Sequence, residues 1–117
     1  MKPEIAKIWC ESLLSGEYEQ GWSSLSFGGK YCCLGVLCEL AIKNGVNVIK
    51  KNVQSEPVNY NDCAGVLPTK VKEWAGMKTV LGEYLEETGV TSLAGKNDGG
   101  MIFAEIAKII QARSEDL

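Results

Sequence analysis

Three observations predict an α+β domain for this chain. Apolar residues recur at helical spacing in separated stretches, short runs of β-type residues flank Gly-containing turns between them, and 45% of the 117 residues are hydrophobic, enough for one core. The chain, 1–117, is therefore read as a single globular domain of three to four helices packed with short antiparallel hairpins.

The elements follow in order. Pro3 suits a first helical turn, and Ile5, Ile8, Trp9 and Leu13 then keep helical spacing until Ser15-Gly16, which predicts a helix over 3–15. The polar E-Y-E-Q-G reads as a connector. Trp22, Leu25 and Phe27 lead into Gly28-Gly29, a two-residue hairpin turn, with Lys30-Tyr31-Cys32 as the return strand. From Cys33 the period changes: Leu34, Leu37, Cys38 and Ala41 share a helical face, and Asn44-Gly45 supplies a left-handed stop, giving a helix over 33–44. V-N-V-I at 46–49 alternates like a strand, K-K-N-V-Q-S-E-P reads as a loop, and V-N-Y-N-D reads as a partner strand ending in an Asn-Asp turn.

L-P-T-K-V-K-E-W-A-G predicts a two-turn helix that sends Trp74 into the core. Over 79–92, Gly82 and Gly89 weaken a helix, so a hairpin around Glu87-Thr88-Gly89 is preferred. Asn97-Asp98-Gly99-Gly100 breaks the chain before an amphipathic helix carried by Ile102, Phe103, Ile106, Ile109 and Ile110. Trp9, Leu34, Leu37, Trp74, Phe103 and Ile106 are expected at the centre of the core.

Composition narrows the function. The net charge is -3, and Arg113 is the single arginine, so the clustered guanidinium groups of a general nucleic-acid binder are missing. No apolar run reaches the ~20 residues of a membrane span, and charges interrupt the first residues where a signal peptide would be apolar, which predicts a cytoplasmic protein with no membrane partner. No nucleotide-phosphate motif or other cofactor signature occurs, so no cofactor is expected.

Five cysteines accompany no histidine, which removes Cys-His, Ser-His-Asp and H-E-x-x-H machinery. Zinc draws ligands as close pairs, and here Cys32 and Cys33 are adjacent, Cys38 follows five later, and Cys10 and Cys63 stand apart, so no metal site is expected. In a reducing cytosol a disulfide framework is not expected either. Packing is the primary reading, because free cysteine behaves as a small buried hydrophobe. The alternative is a cysteine- or metal-dependent small enzyme centred on Cys32 and Cys33, with a helix N-terminus and a carboxylate such as Asp98 assisting. Gly35 inside the second helix costs up to ~1 kcal/mol against Ala, which implies close approach of another backbone, a Trp or a ligand.

The polar candidates lie elsewhere. Asn97 and Asp98 are expected to cap the last helix. The turn they form with Gly100 is also a place where exposed backbone N–H groups receive an anion or a base edge. Trp22, Tyr31 and Tyr60, with the Gln20-Gly21 corner, offer aromatic and amide groups for a heterocycle or a protein partner. Glu86-Glu87 and Glu115-Asp116 point apart and read as solvated pairs. Trp22, Tyr31, Tyr60, Asn97, Asp98 and Gly100 are the candidate ligand-binding residues; no catalytic residue is assigned.

W-x-x-x-L, S-G-x-Y-x-Q, Y-C-C-L-G-V-L-C-E-L-A, L-P-x-x-V-x-x-W-A-G and N-D-x-G-x-x-F-x-x-I-A-x-x-I, over about 9–110, resemble a family of small uncharacterised bacteriophage and prophage proteins. The resemblance carries no activity or cofactor. It implies a viral setting in the host cell cytoplasm, hence a non-enzymatic binding protein that antagonises a bacterial defence system. Its partner would be a signalling nucleotide, which it sequesters, or a host defence protein, which it blocks; a homo-oligomer is compatible with either. A structural or DNA-associated phage component is a third reading, for which salt-sensitive DNA retention would be the mark.

Overall fold

The computed structural model describes residues 1–117. In chain order the elements are α1 (Pro3–Leu14), β1 (Glu19–Gln20), β2 (Ser26–Phe27), β3 (Lys30–Tyr31), α2 (Cys33–Lys43), β4 (Lys50–Lys51), β5 (Asn59–Tyr60), α3 (Thr69–Ala75), β6 (Glu83–Glu86), β7 (Gly89–Ser92), α4 (Leu93–Asp98) and α5 (Phe103–Arg113). The class is α+β, as predicted: helices enclose one core, and three small sheets sit at its margin.

The central helix is α2. Cys33, Leu34, Val36, Leu37, Cys38 and Ala41 are all fully buried, so this helix is apolar on almost every side. α1 packs along α5 and also touches α2. Trp9 of α1 is fully buried, and its indole N–H donates to the Cys33 carbonyl at 2.9 Å, which satisfies the ring's polar end inside the core. Gly35 explains itself: a Cβ there would collide with the Leu25 carbonyl, whose oxygen accepts from the Cys32 N–H at 3.1 Å. The segment before β2 therefore rests directly on the first turn of α2.

Turn chemistry matches the sequence at several points. Gly28 and Gly29 both have positive φ, 61° and 81°, in the turn between antiparallel β2 and β3. Asn61 and Asp62 adopt φ of 50° and 65°, and the flanking Tyr60 and Cys63 exchange backbone hydrogen bonds at 2.8 and 2.9 Å, the Asn-Asp turn expected after the 58–60 strand. The β6–β7 hairpin pairs Glu86 with Gly89 across its turn.

Other expectations need correction. There are five helices, α4 being the addition; Ser92 opens it, its Oγ accepting from the Gly95 N–H at 2.9 Å. The connector E-Y-E-Q-G contains β1, which pairs in parallel with β3. Residues 46–49 form no strand; pairing begins at Lys50. The reason is that the Val46 N–H bonds the Ala41 carbonyl at 3.0 Å while the Gly45 N–H bonds Ile42 at 3.1 Å, so this backbone closes α2 instead of joining a ladder. Trp74 is only half-buried, because α3 lies at the edge of the core and buries Val71 and Ala75.

Candidate functional site

Asn97 and Asp98 end α4 and do not cap α5. Asn97 is fully buried, and each side-chain polar atom is used. Its Oδ1 accepts from the Cys33 N–H at the start of α2 (3.1 Å) and from Gln20 Nε2 (2.9 Å), while its Nδ2 donates to the Gly21 carbonyl at 2.8 Å. Gln20 completes the stitch: its Nε2 also donates to the Met101 carbonyl at 2.8 Å, and its Oε1 accepts from the Phe103 N–H at 3.0 Å, the first residue of α5. Two amide side chains thus supply acceptors to the starts of α2 and α5 and tie both to the chain after β1. Asn97 has no polar atom left for a ligand.

Around this stitch the surface is open. Trp22 is 52% exposed. Ser23 holds φ at 71°, a conformation rare for a residue with a side chain, and its N–H donates to Asp98 Oδ1 at 2.9 Å. Asp98 and Gly100 are exposed. Trp22, Asp98 and Gly100 therefore belong to one corner, with Asn97 beneath it.

Tyr31 adjoins that corner through its backbone, its carbonyl accepting from the Gly21 N–H at 2.8 Å, whereas Tyr60 bonds Cys63 and Glu39 instead. Tyr31, half-buried, meets Tyr18 edge-on at 5.2 Å and lines a cleft of about 300 Å³ between the β2–β3 hairpin and residues 50–58. Phe27, 48% exposed, stands at its mouth with Val53; Asn52, Gln54 and Ser55 supply amides and a hydroxyl, and Glu56 a carboxylate. Lys50 is the single cation of the lining, and Glu39 Oε2 holds it at 2.9 Å. The same carboxylate oxygen accepts from the Tyr60 hydroxyl at 2.6 Å. Tyr60 itself is fully buried behind the cleft; burial first, then the Glu39 contact, holds its hydroxyl strongly in the protonated form. It positions Glu39 and hence Lys50 and offers no surface of its own.

A family described as a domain of unknown function, DUF8296, matches residues 1–114. The chain belongs to the DUF8296 family. No curated protein and no solved structure matches it. The matched span takes in both the amide stitch and the cleft.

In this DUF8296 chain the sulfurs lie in the core. Cys33 and Cys38 are fully buried, Cys10 and Cys32 nearly so, and Cys63 is half-buried; none is in a disulfide. Burial pushes the Cys10 thiol up to about 11, raises Cys32, and raises Cys33 and Cys38 well above the ordinary value. Cys33 Sγ donates to the Leu93 carbonyl at 3.7 Å. A nucleophilic cysteine needs the opposite shift, toward thiolate at neutral pH. Glu86, read as solvated, is paired with Lys96 at 3.0 Å, and Lys96 first of all draws its carboxyl below the usual range.

Sequence reasoning missed Phe27, Glu39 and Lys50. Phe27 was visible in principle: it directly precedes a Gly-Gly turn on a two-residue strand whose other member, Ser26, faces inward, so alternation sends the ring out. Glu39 and Lys50 come together only through tertiary packing.

Proposed function

We propose that this DUF8296 chain works by binding and not by turnover, and that the cleft beside Phe27 is its ligand seat. The observation that carries the reading is the exposed Phe27 ring at the mouth of a cleft of about 300 Å³ that also holds Tyr31, four amide or hydroxyl side chains and one lysine. That volume is at the lower limit of ligand pockets, roughly 300 Å³, and suits one heterocycle better than a linked pair. Charge points the same way. Lys50 is already matched by Glu39, and Glu56 adds a second carboxylate, so a phosphate finds no uncompensated cation. The base of a nucleotide enters, stacked on Phe27 and read by Asn52 and Gln54, with its phosphate toward solvent.

Four buried thiols held in the protonated form support binding over cysteine chemistry. Together with the resemblance to phage-borne proteins, this favours an antagonist of bacterial defence that sequesters a signalling nucleotide in the host cytoplasm. The blocking of a host protein is favoured by a different observation: Leu85 and Val90 sit directly opposite each other on the β6–β7 hairpin, 67% and 70% exposed.

Isothermal titration with adenosine, guanosine, their monophosphates and cyclic dinucleotides tests the cleft. At least one is expected to bind, Phe27→Ala should weaken it about tenfold or more, and Asp98→Ala should leave it unchanged. Silence across the panel, or a Phe27→Ala variant that binds as well as the parent, would discard the cleft.

A further inference from the structure

The exposed side of α1 has the charge arrangement of a two-fold interface. Pro3, Lys7, Glu11 and Leu14 share one helical face, and with Ala6, Cys10, Gln111 and Ser114 they line a groove of about 400 Å³ between α1 and α5. Leu14 is 55% exposed at the end of this groove. Lys7 and Glu11 are one turn apart, yet neither makes an ion pair within the chain. Their order accounts for that: Lys preceding Glu is the poorer orientation for an i,i+4 pair, so both charges remain available to another molecule.

We infer that this face docks a second copy of the chain, α1 against α1 in antiparallel orientation. A two-fold axis crossing in front of the exposed face of α1, midway between Lys7 and Glu11, sets Lys7 of each copy opposite Glu11 of the other, because a two-fold contact that places one residue against a second also places the second against the first. The same register brings Leu14 of each copy over the first turn of the other, where Pro3 is exposed, and covers both apolar ends of the groove. A parallel arrangement would set lysine against lysine and glutamate against glutamate. Charge complementarity thus selects both the occupant and its direction. The β6–β7 hairpin, also exposed and apolar, carries no comparable self-matching charges on Leu85 and Val90 and does not compete as a self-docking face.

The interface is tested by sedimentation velocity on four forms of the full chain. The parent is expected to dimerise, more weakly as salt rises. Lys7→Glu and Glu11→Lys, each examined separately, place like charges opposite each other twice and should self-associate roughly tenfold more weakly or worse. Mixed together, these two variants should form a one-to-one heterodimer, since glutamates at 7 and 11 of one copy then meet lysines at 11 and 7 of the other. The double swap in one chain should dimerise like the parent. Both positions are on the surface, so circular dichroism should report an unchanged fold. A parent that stays monomeric, single variants that dimerise undiminished, or a mixture that fails to associate would each overturn the inference.

Discussion

Asn97 shows how far one residue's chemistry was readable. The N-D-x-G element predicts a helix boundary and a capping amide, and both exist, but the helix Asn97 caps is α2, sixty-four positions away in the Cys33 contact. Sequence proximity pointed to α5, and only the tertiary fold brings the first N–H of α2 to this side chain. Because Asn97 is buried with every polar atom bonded, Asn97→Ala would strand the Cys33 N–H and the Gly21 carbonyl. A loss of about 3 kcal/mol in urea unfolding is expected, at roughly 1–3 kcal/mol per orphaned group. Gln20→Ala removes partners of the same network, so the double variant should lose less than the sum of the two single losses. Strict additivity would show that the two amides do not act as a unit. The burial of Tyr60 was not readable at all, since a tyrosine next to a turn has the same sequence whether it faces solvent or Glu39.

At the scale of elements, segments with a strong period were legible and short ones were not. α1, α2 and α5 sustain an apolar face over three turns, whereas α4 has six residues interrupted by Gly95 and exists because Ser92 caps it and Leu93 is fully buried. The shift of strand pairing from 46–49 to Lys50 has the same character: the valines alternate, but the Val46 N–H already closes α2 and the Val48 N–H turns back onto the Val46 carbonyl. Gly35 was legible as a close approach, and its magnitude can be predicted. In an exposed helix Gly→Ala gains up to ~1 kcal/mol, yet here the added methyl meets the Leu25 carbonyl. Overpacking of this kind costs about 3 kcal/mol, so the net sign should reverse and Gly35→Ala should melt well below the parent in a thermal scan. A variant that melts higher would mean the Leu25 segment yields easily.

For the whole molecule, the α+β class and single core followed from composition and period, because those depend on averages over many residues. The cleft proposed as a ligand seat did not, since it is assembled from two segments, 26–31 and 50–58, whose union no local pattern encodes. The buried thiols add a global property. Their protons are held in the folded state, with Cys10 raised from 9.0 to about 11, while in the unfolded chain they leave near the ordinary value. The unfolded state therefore binds fewer protons at alkaline pH, and stability should be level below about 9 and fall as pH rises toward 11, by up to about 1.4 kcal/mol per unit for each thiol. Urea titrations under reducing conditions check this; Cys33→Ala should flatten the decline, and a flat parent curve would contradict the placement of the sulfurs. The segment between β4 and β5 has a further consequence. Its residues 51–57 are exposed, and Lys51 offers trypsin a cleavage point outside the core. A nick there leaves Trp9, Leu34 and Leu37 on one fragment and Tyr60, Ile106 and Ile110 on the other, each completing the other's interior. The severed protein would stay assembled while the wall of its proposed ligand seat came loose, so digestion can separate integrity from recognition without changing a single side chain.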